Sequence, residues 1–65
     1  MRWKPKFDER YYFIGADGRV EGWTRLNKEF DNAVFSFGNC FKSKKDALAA
    51  AKVVKKALLK FHGGK

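Results

Sequence analysis

The chain has 65 residues, room for one domain, and its 15 Lys and Arg against 7 Asp and Glu give a net charge of +8. A folded domain this small hides only about 60% of the surface its unfolded chain exposes, and a single cysteine, Cys40, excludes an intramolecular disulfide framework. No apolar run approaches the roughly 20 residues that cross a bilayer, and Met1 to Lys6 lacks the apolar stretch of a signal peptide, so the protein is expected to be soluble and intracellular, with no membrane partner.

In chain order, residues 1–10 mix charges with Trp3 and Phe7 around Pro5, which restricts Lys4 to an extended conformation and removes a backbone donor. They read as an extended arm or an edge strand. Tyr11 to Ile14 and Arg19 to Arg25 are strand-like and flank Gly15-Ala16-Asp17-Gly18. The Asp-Gly pair predicts a two-residue hairpin turn, because both positions of a type I′ turn need positive φ. Asn27 to Asn32 carries turn formers and reads as a loop, and Ala33 to Phe37 reads as a short third strand ended by Gly38-Asn39.

Ser43 has the character of an N-cap, with Asp46 three residues on, and a helical pattern runs to about His62 before Gly63-Gly64. Ala47, Ala50, Ala51, Val54, Ala57, Leu58 and Phe61 share one broad face of that helix, and Lys45, Lys52, Lys56 and Lys60 sit roughly opposite. The expected fold is α+β: a three-stranded antiparallel sheet over residues 11–37 packed against one C-terminal amphipathic helix over 43–62, in the order βββα. One helix covers one sheet face only. Since Tyr11 and Phe13 alternate with Tyr12 and Ile14, the second face is also apolar. The arm, a second copy or a ligand must cover it, and a homodimer through that face is expected.

The charge is unevenly spread. Residues 1–41 hold seven basic and six acidic side chains, whereas residues 42–65 hold eight lysines against Asp46 alone. A field of that kind suits phosphates or another acidic surface. The candidate anion site is the helix entry, where unpaired N–H groups and the dipole favour an anion. Asn39, Lys42, Ser43, Lys44 and Lys45 would form it. Lys52 and Lys56 would extend it along the helix, and Arg19 and Arg25 would add charge from the sheet. The competing reading is plain helix entry beside a solvated lysine face, with Asn39 and Ser43 satisfying backbone groups. Trp23, with Trp3 or Tyr12, could stack a base while Arg25 holds a phosphate; the competing reading places these rings in the core.

Nothing in the sequence points to catalysis. Cys40, between Asn39 and Phe41, reads as a small buried hydrophobe, and His62 is the only histidine. The carboxylates lack metal-loop spacing, and turn or capping roles suit Asp17, Asp31 and Asp46. No phosphate-cradling or dinucleotide motif is present. No enzyme, metal or cofactor is expected.

The run Trp3-Lys4-Pro5-Lys6, then Tyr11-Tyr12, Gly18-Arg19-Val20, Trp23, Phe30-Asp31-Asn32 and Gly38-Asn39-Cys40-Phe41-Lys42-Ser43 with Asp46-Ala47, resembles a family of short hypothetical proteins of phages and prophages. The resemblance spans most of the chain. It implies a phage origin, hence the cytoplasm of a bacterial host, and brings no settled activity. In architecture, three strands followed by a helix entered through Phe41 to Ala47 is similar to the arm-site DNA-binding domain of tyrosine integrases, whose sheet enters the major groove. The chain departs from that pattern in crowding aromatics on both sheet faces and gathering lysines on the helix. The functional expectation is a phage-type binding protein for nucleic acid or a nucleotide-like anion. The alternative is an interaction module or inhibitor that docks on a host protein through an aromatic sheet face.

Overall fold

The computed structural model describes residues 2–26 and 28–64. Met1 of the expected arm, Asn27 of the expected loop and the C-terminal Lys65 lie outside them. Two strands, β1 (Arg10–Ile14) and β2 (Val20–Thr24), pair antiparallel with Tyr11 opposite Trp23 and Phe13 opposite Glu21. Two helices follow, α1 (Glu29–Ser36) and α2 (Lys44–Phe61). The class is α+β, but the three-strand, one-helix expectation is wrong: the sheet has two strands, and the segment read as a loop and third strand, residues 27–37, is mostly helix.

The hairpin stands where the sequence puts it, with a different turn. Gly18 N–H donates to the Gly15 carbonyl at 3.0 Å and Gly15 N–H to the Arg19 carbonyl at 2.8 Å. Gly18 has φ 84°, while Asp17 stays out of the left-handed region. This is a three-residue loop whose last residue must be left-handed, the role glycine fills at no steric cost. The Asp17 carboxylate caps the turn by accepting from Arg19 N–H at 3.0 Å.

Residues 33–37 have the β-branched and aromatic composition of a strand, yet local capping and one buried carboxylate decide for helix. Asp31, in the first turn of α1, reaches back to accept from Lys28 N–H at 3.0 Å, as the third residue of a capping box does. The same Oδ2 accepts from Leu26 N–H at 3.0 Å, and Oδ1 accepts from the Tyr11 hydroxyl at 2.7 Å. At the other end Gly38 (φ 87°) donates to the Phe35 carbonyl at 3.0 Å and Asn39 to the Val34 carbonyl at 2.7 Å, a Schellman stop.

That stop aims Asn39 at the free edge of β1. Its side-chain amide accepts from Ile14 N–H at 2.7 Å and donates to the Ile14 carbonyl at 2.8 Å. Two residues on, Phe41 exchanges backbone bonds of 2.9 and 2.8 Å with Tyr12. Residues 39–41 therefore occupy the place of the third strand, with one side chain imitating backbone. Pairing an edge in this way removes a template for association with other chains.

Each sheet face meets a helix, the α1 side through Phe30 with Trp23 still 48% exposed. Phe30 of α1 meets Phe13 and Trp23 edge to face, at centroid distances of 5.1 and 6.0 Å. On the side of Ile14, α2 lies across both strands with Ala47 fully buried. Small Ala47 permits the close approach; it is buried with Tyr11 and Phe13. The wholly uncovered second face on which the homodimer expectation rested is absent, α1 and α2 each meeting one side. Of the expected extended arm or edge strand, residues 2–9 form no strand and are tied to the rest of the fold. Pro5 is buried, its carbonyl accepts from the Arg25 guanidinium, and Asp8 N–H donates to the Arg25 carbonyl at 2.8 Å.

Among the described residues, no helix is long and apolar enough to cross a membrane. Helix α2 is nevertheless long for its sheet. Eighteen residues extend about 27 Å, against about 17 Å for a five-residue strand. From Lys52 to Gly64 every residue is exposed, so its distal half overhangs the core.

Candidate anion-binding surface

Helix α2 carries six lysines and one carboxylate, Asp46. Lys44, Lys45, Lys52, Lys55, Lys56 and Lys60 are all exposed, as is Lys42 just before the helix. None of them is in an ion pair: the one salt bridge among the described residues joins Arg19 to Asp17 at 3.6 Å, at the far end of the hairpin. The lysines of the expected cationic face are thus exposed and, among the described residues, unpaired with an acid. At 100° per residue, Lys45, Lys52, Lys56 and Lys60 line one side of the helix, away from Ala47, with Ala49 between the first two.

The helix entry is already occupied by the protein itself. Ser43 Oγ accepts from Asp46 N–H at 3.2 Å, the N-cap bond that satisfies an otherwise unpaired donor. Asp46 adds a negative charge to the first turn, where it competes with an incoming anion. Asn39 spends both halves of its amide on Ile14. Asn39 and Ser43 therefore act in the fold, and the free charge here is that of Lys42, Lys44 and Lys45.

Arg25 and Arg19 also separate. Arg25 is half-buried, donates to Pro5 and lends its positive charge to Asp31. Arg19 is exposed at the hairpin end. The three aromatic candidates share no platform. Trp23 faces Tyr11 across the sheet and Tyr12 faces Gly22, so the strand pleat sends Trp23 and Tyr12 to opposite faces. Trp23, 48% exposed, rests edge to face on Phe30. Tyr12 carries the Arg10 guanidinium over its ring at 5.8 Å, and Trp3 is half-buried in the arm.

The reactive side chains are placed for structure. Cys40 is half-buried, and burial, followed by the nearby Asp31 charge, pushes its thiol up and away from the nucleophilic thiolate. His62 caps the C-terminus of α2, with its ring edge-on to Phe61 at 5.3 Å. Among the described residues, no three His, Cys, Asp or Glu side chains come together as a metal site.

Sequence reasoning missed a second feature of α2. Leu48 and Leu59 lie on the lysine side of the helix wheel, eleven residues and three turns apart, yet the apolar face drawn from the sequence omitted them. With Ile14, Val54, Leu58 and the turn Gly15–Gly18 they line an open groove of about 580 Å³ between the helix and the hairpin tip. Their three-turn spacing was visible in the sequence; that the hairpin tip would stand opposite them was not.

Compared with protein-family models, with curated proteins and with solved structures, the chain matches none.

Proposed function

We propose that the chain is a non-enzymatic binding protein whose α2 ridge engages a phosphate-bearing partner, a nucleic acid or a nucleotide-like anion. The observation that carries this reading is the ridge itself: exposed lysines along one side of one helix, without an acidic partner of their own among the described residues. A lysine ridge of this length tracks a phosphate backbone by releasing counterions, a contact that needs charge and spacing but no base-specific geometry. The contact would comprise Lys45, Lys52, Lys56 and Lys60, with Lys42 and Lys44 at the near end. Arg25, Asn39 and Ser43 support the fold and are not assigned to it. The phage resemblance is compatible with such a role and adds no partner of its own.

The test is a fluorescence titration of labelled single- and double-stranded DNA, RNA and a nucleotide at two salt concentrations. Binding to the polymers should weaken steeply as salt rises, and each Lys→Gln substitution along the ridge should lower the logarithmic salt slope by about 1. A flat titration at low salt overturns the reading.

A further inference from the structure

A solvated lysine face has no use for leucine. Yet Leu48 and Leu59 stand among Lys44, Lys52 and Lys55 on α2, 47% and 39% exposed. At 100° per residue, Leu48, Lys52, Lys55 and Leu59 fall within about 60° of arc, a single stripe three turns long. Val54 and Leu58, 43% and 60% exposed, continue it toward the hairpin, whose tip forms the other wall of the groove. The floor is apolar. Its flanks carry Lys52 and Lys55, and its one acidic lining residue, Asp17, is paired with Arg19.

An occupant must match three properties: elongated along three helical turns, apolar on one side and negatively charged at the margins. A phosphate backbone lacks the apolar side. A second copy of α2 supplies the apolar side but brings lysines to lysines, since its only carboxylate is Asp46. We propose that this groove docks an amphipathic helix of a partner protein, with leucine-type residues seated between Leu48, Leu58 and Leu59, and glutamates or aspartates opposite Lys52 and Lys55. Helix-in-groove recognition of this kind reads anchors at three- and four-residue spacing, as Leu48, Lys52, Lys55 and Leu59 present them. The site adjoins the phosphate ridge without coinciding with it: at 100° per residue Lys45, Lys56 and Lys60 lie about 50°, 70° and 110° round the wheel from the centre of the stripe, and Lys52 borders both.

The experiment uses the full chain and a synthetic amphipathic peptide of about 18 residues, leucines on one face and glutamates on its flanks. Two controls accompany it: the same composition scrambled, and the same stripe with lysine flanks. Binding is read by calorimetric titration and by backbone amide shifts. The glutamate-flanked peptide should bind about tenfold or more tightly than either control, with shifts centred on Ile14–Gly18 and residues 48–59. Leu48→Gln and Leu59→Gln, both at exposed positions, should lower that affinity about tenfold or more while leaving DNA binding unchanged. Lys45→Gln and Lys60→Gln should do the reverse, so failure of the groove and failure of the ridge are told apart. The proposal is overturned if the scrambled peptide binds as well, if the leucine variants bind the peptide unchanged, or if the chain alone is a dimer that Leu59→Gln dissociates.

Discussion

Asp31 does more for this fold than any other charged residue described. It is 5% exposed, yet it is fully bonded: the Tyr11 hydroxyl on one oxygen, the N–H groups of Leu26 and Lys28 on the other. Burial pushes its carboxyl up, but the Tyr11 bond, the two backbone donors and the Arg25 charge outweigh that and hold it below the usual range. Tyr11 moves the other way, raised by burial first and then by Asp31. A lowered carboxyl contributes stability that is present above its unfolded value of about 4 and lost as pH falls through the lower folded value. A raised phenol contributes below about 10, and that contribution is lost as pH rises. The urea midpoint followed by tryptophan fluorescence should therefore hold between about pH 5 and 9 and drop on both sides. An acid limb that persists unchanged in Asp31→Asn would contradict this. Asp31→Ala should cost roughly 2–4 kcal/mol and Tyr11→Phe about 1–2 kcal/mol, with the double variant losing less than the sum, because each removes the other's partner.

Helices α1 and α2 end in the same Schellman geometry, but the two stops differ in consequence. After α1, Gly38 sends Asn39 and Phe41 to pair with the edge of β1. After α2, Gly63 (φ 84°) donates to the Lys60 carbonyl in a helix end whose residues are all exposed. Alanine at either position faces the same left-handed strain of roughly 1–2 kcal/mol. Gly38→Ala should show that loss in thermal melts, while Gly63→Ala should be nearly silent, because local fraying relieves it. Hydrogen exchange tests the same contrast within α2. Amides of the turn that contains Ala50 and Ala51 should be protected close to the global limit, and those beyond Lys56 should exchange through local opening.

At the scale of the molecule, a core of Tyr11, Phe13 and Ala47 is small for 65 residues, and the apolar surface left outside is correspondingly large. Part of it lies at Trp23, Leu26 and Phe30, where the sheet meets α1, and part on the overhang of α2. The overhang gives the protein its long dimension, 40 Å against 24 and 23 Å, and carries the distal part of both the lysine ridge and the leucine stripe. Charge and apolar surface side by side on one projecting helix are what a partner-binding element requires, because a helix that served only to cover the sheet could end near Ala51. Shortening α2 after Lys52, which deletes Lys56 and Lys60 of the contact, should therefore weaken polyanion binding and lower its logarithmic salt slope by about 2 while the hairpin and α1 keep their chemical shifts; loss of the whole shift pattern would show instead that the overhang stabilises the fold.

The sequence by itself determined the hairpin, the span and amphipathic character of α2, and the cationic excess at its end. These depend on local periodicity, on Gly18 and Ser43, and on composition, all of which act over a few residues. It did not determine residues 28–37. There strand-like composition met a helix cap, and the balance was tipped by the bond between Tyr11 and Asp31, twenty positions apart. Nor could it place Asn39, which satisfies backbone groups 25 positions away, or set the hairpin tip against Leu48 and Leu59. Buried hydrogen bonds and the facing of two elements are long-range contacts, and their energies of a kilocalorie or more per bond exceed the few tenths by which local propensities differ. Tertiary structure therefore decided where the chain was locally undecided.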